Sequence, residues 1–364
     1  MTPYLLLTPG PLTTTAAVKN AMMRDVSTWD VDYNAIVEQF RKDLLEVAQV
    51  DATRYAAVLL QGSGSYAVEA TIGTALPADG CLMIAVNGAY GRRMCEMCDI
   101  LGIKYVAITF DETTPVNLAT CEQALMAHPE VTHFAVVHCE TTTGILNPIQ
   151  TLIPAMHRRG LITIVDAMSS FVGIPIHTDA LHIDYLISSA NKCLQGVPGF
   201  AFVITRRRVI EATSGNARSL SLDLFDQLQT MDAHHGKWRF TSPTHVVLAA
   251  AEAMRELQDE GGVAARNQRY RDNQRRLTEG MQQLGFNLII AAQDQSPIIT
   301  SFEYPTANFD FAEFYDQLKA RGFVIYPGKV ARIPSFRIGN IGAVYPADID
   351  RLLESIAQVM AALA

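Results

Sequence analysis

The run Leu161-Ile162-Thr163-Ile164-Val165-Asp166, followed by Tyr185-Leu186-Ile187-Ser188 and then by Phe200-Ala201-Phe202-Val203-Ile204, decides the fold class. Each run is short, almost wholly apolar or β-branched, and lacks the alternation of a half-solvated strand. Such runs read as strands covered on both faces. The same texture recurs at Ala56 to Leu60, Cys81 to Val86, Tyr105 to Thr109 and Phe134 to His138. Helical stretches separate them: Tyr66 to Ala75, Gly91 to Leu101, Leu118 to Met126 and Thr151 to Arg159. Strand alternating with helix predicts an α/β domain on a mainly parallel, seven-stranded sheet.

Beyond about Arg206 the texture changes. Long helices are expected at Thr244 to Leu257 and Val263 to Leu284. Shorter strands follow at Asn287 to Ala291, Ile298 to Glu303, Phe323 to Tyr326 and Phe336 to Gly339, with helices at Phe311 to Lys319 and Ala347 to Ala362. This reads as a smaller C-terminal α/β domain whose boundary falls at Gly261-Gly262, the clearest break between two helices. No Pro- or Ser-rich linker intervenes, so the two domains should pack closely.

With 364 residues, the chain has room for two or three domains at roughly 100–200 residues each. It is 49% hydrophobic and 18% charged, which excludes a largely disordered chain. No apolar run approaches the ~18 residues of a membrane span. Leu5-Leu6-Leu7 has no basic segment before it, so no secretory signal is expected and the cytoplasm is the default location. An excess of 37 acidic over 29 basic residues argues against nucleic acid as the main partner. Arg206-Arg207-Arg208 and Arg275-Arg276 read as solvated helix faces. Six cysteines do not make a disulfide scaffold in a chain of this length. Cys95 and Cys98 have the spacing of a metal or redox pair, but no second pair completes a zinc site, and they read as reduced core residues. His133, His138, His234 and His235 form no recognisable metal set, so no metal is expected; His138 reads as a core histidine.

Three features carry chemistry. Gln61-Gly62-Ser63-Gly64-Ser65 follows a strand and opens a helix, where backbone N–H groups collect an anion. It lacks the third glycine of a dinucleotide fingerprint and the Gly-Lys-Ser/Thr of a Walker loop; the plain alternative is a tight strand-to-helix turn. Asp166 ends a buried strand, where open α/β sheets bind ligands, and a carboxylate there needs a cation to offset its desolvation. Its plain alternative is an N-cap. Lys192 lies between an apolar strand and the Gly/Pro-rich turn that holds Gly196, Pro198 and Gly199. In a dry setting its amine would be a nucleophile; most lysines are merely solvated. An anion turn, an acid and a lysine at successive strand ends are together what pyridoxal 5′-phosphate requires.

The order of these motifs resembles the fold-type I pyridoxal-phosphate transferases, in the class V branch that includes alanine–glyoxylate and serine–pyruvate aminotransferases. Within that branch Leu6-Leu7-Thr8-Pro9-Gly10-Pro11, Asn87-Gly88-Ala89-Tyr90-Gly91, Glu140-Thr141-Thr142-Thr143-Gly144, Val165-Asp166-Ala167-Met168-Ser169-Ser170, Ser189-Ala190-Asn191-Lys192, Gly236-Lys237-Trp238-Arg239-Phe240-Thr241-Ser242-Pro243 and Phe336-Arg337-Ile338-Gly339 are similar to the enzymes that move the amino group of 2-aminoethylphosphonate to pyruvate. The likeness covers nearly the whole chain.

The resemblance implies roles. Lys192 would hold the cofactor covalently and move the proton, and Asp166 would pair with the ring nitrogen. Ser63, Gly64 and Ser65 would hold the phosphate, and Tyr90 would stack on the ring. Thr141 or Thr143 would reach the 3′-oxygen. Many relatives carry Gln where this chain has the shorter amide of Asn191. Trp238 and Thr241 would reach the phosphate of a neighbouring subunit, implying a homodimer with shared sites. Arg337 would bind the carboxylate of pyruvate, and Thr8, Pro9 and Gly10 would line the substrate entrance. The implied division is a substrate-lining segment over 1–20, a large cofactor domain over 21–260 and a small domain over 261–364. Rival readings are alanine–glyoxylate or serine–pyruvate transamination on the same scaffold, a desulfurase or other lyase, and a non-catalytic phosphate-ligand binder. Cys193, beside Lys192, reads as packing rather than as a desulfurase nucleophile.

Overall fold

The computed structural model describes residues 4–363; residues 1–3 and 364 of the expected outer segments lie outside it. The central sheet has seven strands: β1 (Tyr55–Gln61), β2 (Cys81–Val86), β3 (Lys104–Thr109), β4 (His133–Val137), β5 (Ile162–Asp166), β6 (Tyr185–Ser189) and β7 (Phe200–Arg206). Their spatial order is β1-β7-β6-β5-β4-β2-β3. All pairings are parallel except those of β7, which runs antiparallel to both β1 and β6. Each strand expected of this large sheet is present, shifted by at most two residues at an end.

Pleating explains the apolar runs. Ala57 and Leu59 of β1 face one core, with Met83, Val136 and Val165, while Ala56, Val58 and Leu60 face another, with Ile84, Val137 and Ile164. Both faces are dry, so alternation disappears from the sequence. Helices α1 (Gly64–Ala75) and α2 (Ala89–Leu101) supply much of the second face.

Two long helices, α3 (Thr244–Glu260) and α4 (Gly262–Gln283), meet at Gly261, whose φ of 104° closes α3 in a left-handed cap. The first turns of α4 grip the large unit. Arg266 donates to the Cys193 carbonyl at 3.0 Å, Asn267 to the Gly173 carbonyl at 2.7 Å, and Gln195 to the Tyr270 hydroxyl at 2.6 Å. Its later residues Leu277 and Met281 enter a third core, with helix α5 (Pro346–Leu363) and the small sheet. That sheet orders β8 (Ile299–Glu303), β10 (Ser335–Gly339) and β9 (Tyr326–Pro327), with β10 central.

Some expectations are corrected. Asn287 to Ala291 is no strand; only Leu288 makes an isolated bridge, to Phe302. Phe323 to Tyr326 splits in two: Phe323–Val324 pairs in parallel with Leu5–Leu6, whereas Tyr326–Pro327 joins the small sheet. Leu7 is buried in the small unit's core. Arg206 is not on a solvated helix face. It ends β7, is buried, donates to Tyr55 at 2.7 Å and lies 3.4 Å from Asp179. Cys98 is buried and its thiol is pushed up to about 12 by desolvation, and neither it nor Cys95 is paired. Among the described residues no helix is long and apolar enough to cross a membrane, and no three metal-ligating side chains cluster.

Candidate active site

The carboxyl ends of β1, β2, β4, β5 and β6 surround a cavity of about 210 Å³. Ser63, Gly64, Ser65, Tyr90, Arg93, Cys139, Asp166, Met168, Ser169, Ser189, Asn191 and Lys192 contribute to its walls. The three chemical features of the sequence therefore meet in one place.

At one end, α1 begins at Gly64 rather than at Tyr66. Gly62 has φ of 120°, and a Cβ there would lie 2.7 Å from the Tyr66 ring, so the tight turn depends on glycine. Ser63 stands at the N-cap but its hydroxyl caps no backbone N–H. The Tyr66 N–H turns back to the Ser63 carbonyl at 3.0 Å, while the N–H groups of Gly64 and Ser65, two residues of the cavity wall, have no side-chain cap, and an anion would complete them.

Asp166 lies at the floor, 5% exposed. One oxygen accepts from the Met168 N–H at 2.9 Å, and no cationic side chain lies within ion-pair range among the described residues. Burial pushes its carboxyl up to about 6, partly offset by the Met168 bond and the Lys192 charge. A cationic ring nitrogen is the group such a carboxylate lacks.

Lys192 approaches from the loop after β6. Its Nζ donates to the Pro9 carbonyl at 2.7 Å. Burial lowers its pKa, favouring the neutral amine that attacks carbonyl carbon. Gly10, at φ of 111°, lies beneath it: a Cβ there would come within 2.7 Å of the lysine Cδ. Pro9 and Gly10 thus meet Lys192 directly, while the Thr8 hydroxyl turns to the Pro11 carbonyl within its own segment.

Tyr90 stands in the first turn of α2, its hydroxyl 3.4 Å from Thr141 Oγ1. The Thr143 hydroxyl is spent in its own turn, on the Glu140 carbonyl and the Ile145 N–H, both at 3.3 Å. Of the two threonines, Thr141 has the freer hydroxyl. Arg337, on central strand β10, is 2% exposed. Its Nε donates to the Pro327 carbonyl at 3.0 Å and its Nη1 to the Thr141 carbonyl at 2.7 Å. Among the described residues it has no carboxylate partner, and burial lowers its pKa. A buried guanidinium with spare donors and no counter-ion is a receptor for an anion.

Trp238 and Thr241 do not join this cavity. They line a separate hollow of about 610 Å³ beside Gly62 and Tyr66, where Thr241 is exposed. Cys193 is packed, its Sγ donating to the Ser169 carbonyl at 3.2 Å. His138 is wholly buried and bonds Ser170 Oγ at 2.9 Å through Nδ1, with no partner for Nε2; burial pushes its pKa down to about 3.

Two residues to which sequence reasoning gave no role stand at the cavity, Arg93 in its wall and Glu140 behind Tyr90. Glu140 is fully buried and accepts from the Tyr90 N–H at 3.1 Å and from the Thr142 hydroxyl at 2.7 Å. Burial pushes its carboxyl up to about 7. Gly88 supplies no side-chain cap to α2, and Glu140 takes that place from the neighbouring strand end. Arg93 reaches the cavity from the next turn of α2. Neither carries a local sequence signal, since a lone acid among threonines and an arginine on an amphipathic helix are ordinary.

A seven-stranded sheet with one antiparallel strand, and a lysine and an acid at its carboxyl edge, defines a fold-type I transferase. The chain belongs to the class-V aminotransferase family, whose model matches residues 14–345. It is 59% identical to a 2-aminoethylphosphonate–pyruvate transaminase of Lactiplantibacillus plantarum over 97% of each chain. It is 57% identical to a protein of the same name from Aeromonas hydrophila, over 97% of this chain and 94% of that one. Among solved structures, an alanine–glyoxylate aminotransferase from Nostoc sp. superposes with a TM-score of 0.90 at 25% identity, covering 99% of this chain and 96% of its own.

Proposed function

We propose that the protein transfers the amino group of 2-aminoethylphosphonate to pyruvate, giving phosphonoacetaldehyde and L-alanine, with pyridoxal 5′-phosphate in the cavity of Lys192 and Asp166. The observation that carries this reading is that one cavity joins a deprotonation-prone lysine, a buried carboxylate without a cation and a helix start without a cap. The residues fit the cofactor, and the names of relatives above 50% identity supply the substrates.

When bound, the cofactor supplies an electron sink that makes the amine-bearing carbon acidic. Lys192 would hold the cofactor through its aldehyde and, as the free amine, would take the proton from the amine-bearing carbon of the substrate and deliver it on the other side of the nitrogen, serving as base and then acid. Asp166 holds the ring nitrogen protonated. The Ser63-Gly64-Ser65 turn holds the phosphate, Tyr90 covers the ring and Thr141 meets its 3′-oxygen. Arg337 holds the pyruvate carboxylate, and it and the Thr8 to Gly10 segment face the phosphonate of the other substrate. Trp238 and Thr241 complete the phosphate site of a second subunit, so the working unit is a homodimer. Their separation from the Lys192 cavity within one chain supports this. Six unpaired cysteines suit a reducing cytoplasm.

A donor panel with pyruvate as acceptor tests the assignment. L-Alanine should form with 2-aminoethylphosphonate and far more slowly with serine; efficient turnover of serine alone would transfer the protein to the serine–pyruvate group.

A further inference from the structure

The phosphate of the cofactor is a dianion, yet the Ser63 to Ser65 turn offers only neutral donors. Of the residues lining the cavity, only Lys192 and Arg93 are cationic, and Lys192 is committed to the aldehyde end. Arg93, an exposed residue of α2 that contributes to the cavity wall, donates from Nη1 to Ser65 Oγ at 3.2 Å. Its guanidinium carbon lies 5.1 Å from the centroid of the Tyr90 ring. The adjacent Arg92 is engaged by Glu112 at 2.8 Å, but Arg93 has no acidic partner among the described residues. An arginine held over an aromatic face, against a hydroxyl, with no counter-ion is preorganised for an oxyanion.

We propose that Arg93 is a binding residue for the cofactor phosphate, supplying the positive charge that the glycine turn lacks. This rests on reading the cavity as the pyridoxal-phosphate site. Its neighbours make a rival role concrete: the same charge is felt at Asp166, so Arg93 would otherwise act on the ring nitrogen. The two roles differ in one respect, because only the first depends on the phosphate.

The test is equilibrium titration of the cofactor-stripped full-length protein with pyridoxal 5′-phosphate and, separately, with unphosphorylated pyridoxal, followed by visible absorption. Arg93→Gln should weaken pyridoxal 5′-phosphate about tenfold or more, as expected for loss of a charge-assisted hydrogen bond, and leave pyridoxal almost unchanged. Arg93→Lys should fall between the variant and the wild type. Unchanged phosphate-ester binding in Arg93→Gln, or equal weakening of both probes, overturns the proposal. If the wild-type protein bound neither probe, the reading of the cavity itself would fail, a result distinct from a wild type that binds and a variant that matches it.

Discussion

Arg337 illustrates how much a single side chain can carry. Its two backbone acceptors, the carbonyls of Pro327 and Thr141, fix the fork without neutralising it. Arg337→Ala should lower kcat/KM for pyruvate by about 100-fold, the loss of a bidentate charged contact, as read by steady-state kinetics. Values within threefold of wild type would remove it from the acceptor site. Glu140 makes the opposite kind of prediction. Its carboxyl is raised to about 7 by burial, so the unfolded chain ionises it more readily than the folded one does. It therefore weakens the fold progressively as pH rises from about 4.5 to about 7, and the penalty is complete above that. Urea unfolding of the cofactor-free protein should show wild type losing up to about 3 kcal/mol relative to Glu140→Gln between pH 5 and pH 8. A pH-independent difference between the two would show that Glu140 does not titrate in this range. That Lys192 and Asp166 share a cavity was legible because both follow strand ends, whereas Arg337 was singled out by the resemblance alone. Glu140 and Arg93 were not legible, because what singles them out is contact with distant residues.

The start of α2 depends on two elements at once. Gly88 is extended, so any residue could adopt its backbone, but a Cβ there would lie 2.3 Å from the Glu140 carboxyl. Gly88→Ala must push Glu140 or α2 aside, at a cost of about 1–3 kcal/mol. The midpoint of chemical denaturation should fall accordingly, and the Tyr90 ring should move from its place over the cavity. An unchanged midpoint would mean the loop yields freely. The large sheet was readable from sequence since strands dry on both faces are continuous apolar runs. The helix Val31–Val47 was missed, although Tyr33, Val37, Phe40 and Leu44 form its buried stripe. Arg41 interrupts that stripe; Glu38, one turn before it, is a local partner, and only the fold supplies the other, Asp232. The helix Leu224–Ala233 was hidden similarly by buried Gln227. Two-residue strands, such as Leu5–Leu6, carry too little pattern to be seen before their partner is known.

At the scale of the molecule, the site draws on parts far apart in sequence: an N-terminal strap on the small unit, the edge of the large sheet, and Arg337 on the small sheet. The part proposed to serve a second subunit lies elsewhere. Phe240 and Tyr66 are each 53% exposed and Leu220 is 74% exposed, around the hollow that Trp238 and Thr241 line. Apolar groups gathered this way call for a covering surface. Phe240→Asp should shift the protein from dimer to monomer in analytical ultracentrifugation and weaken cofactor binding; a monomeric wild type would contradict the shared site. The whole account turns on the identity of the amine that holds the cofactor. Borohydride reduction of the pyridoxal-phosphate-loaded protein, proteolysis and mass spectrometry should place the reduced adduct on Lys192 and leave none on Lys192→Ala. An adduct on another lysine, or none at all, would contradict it.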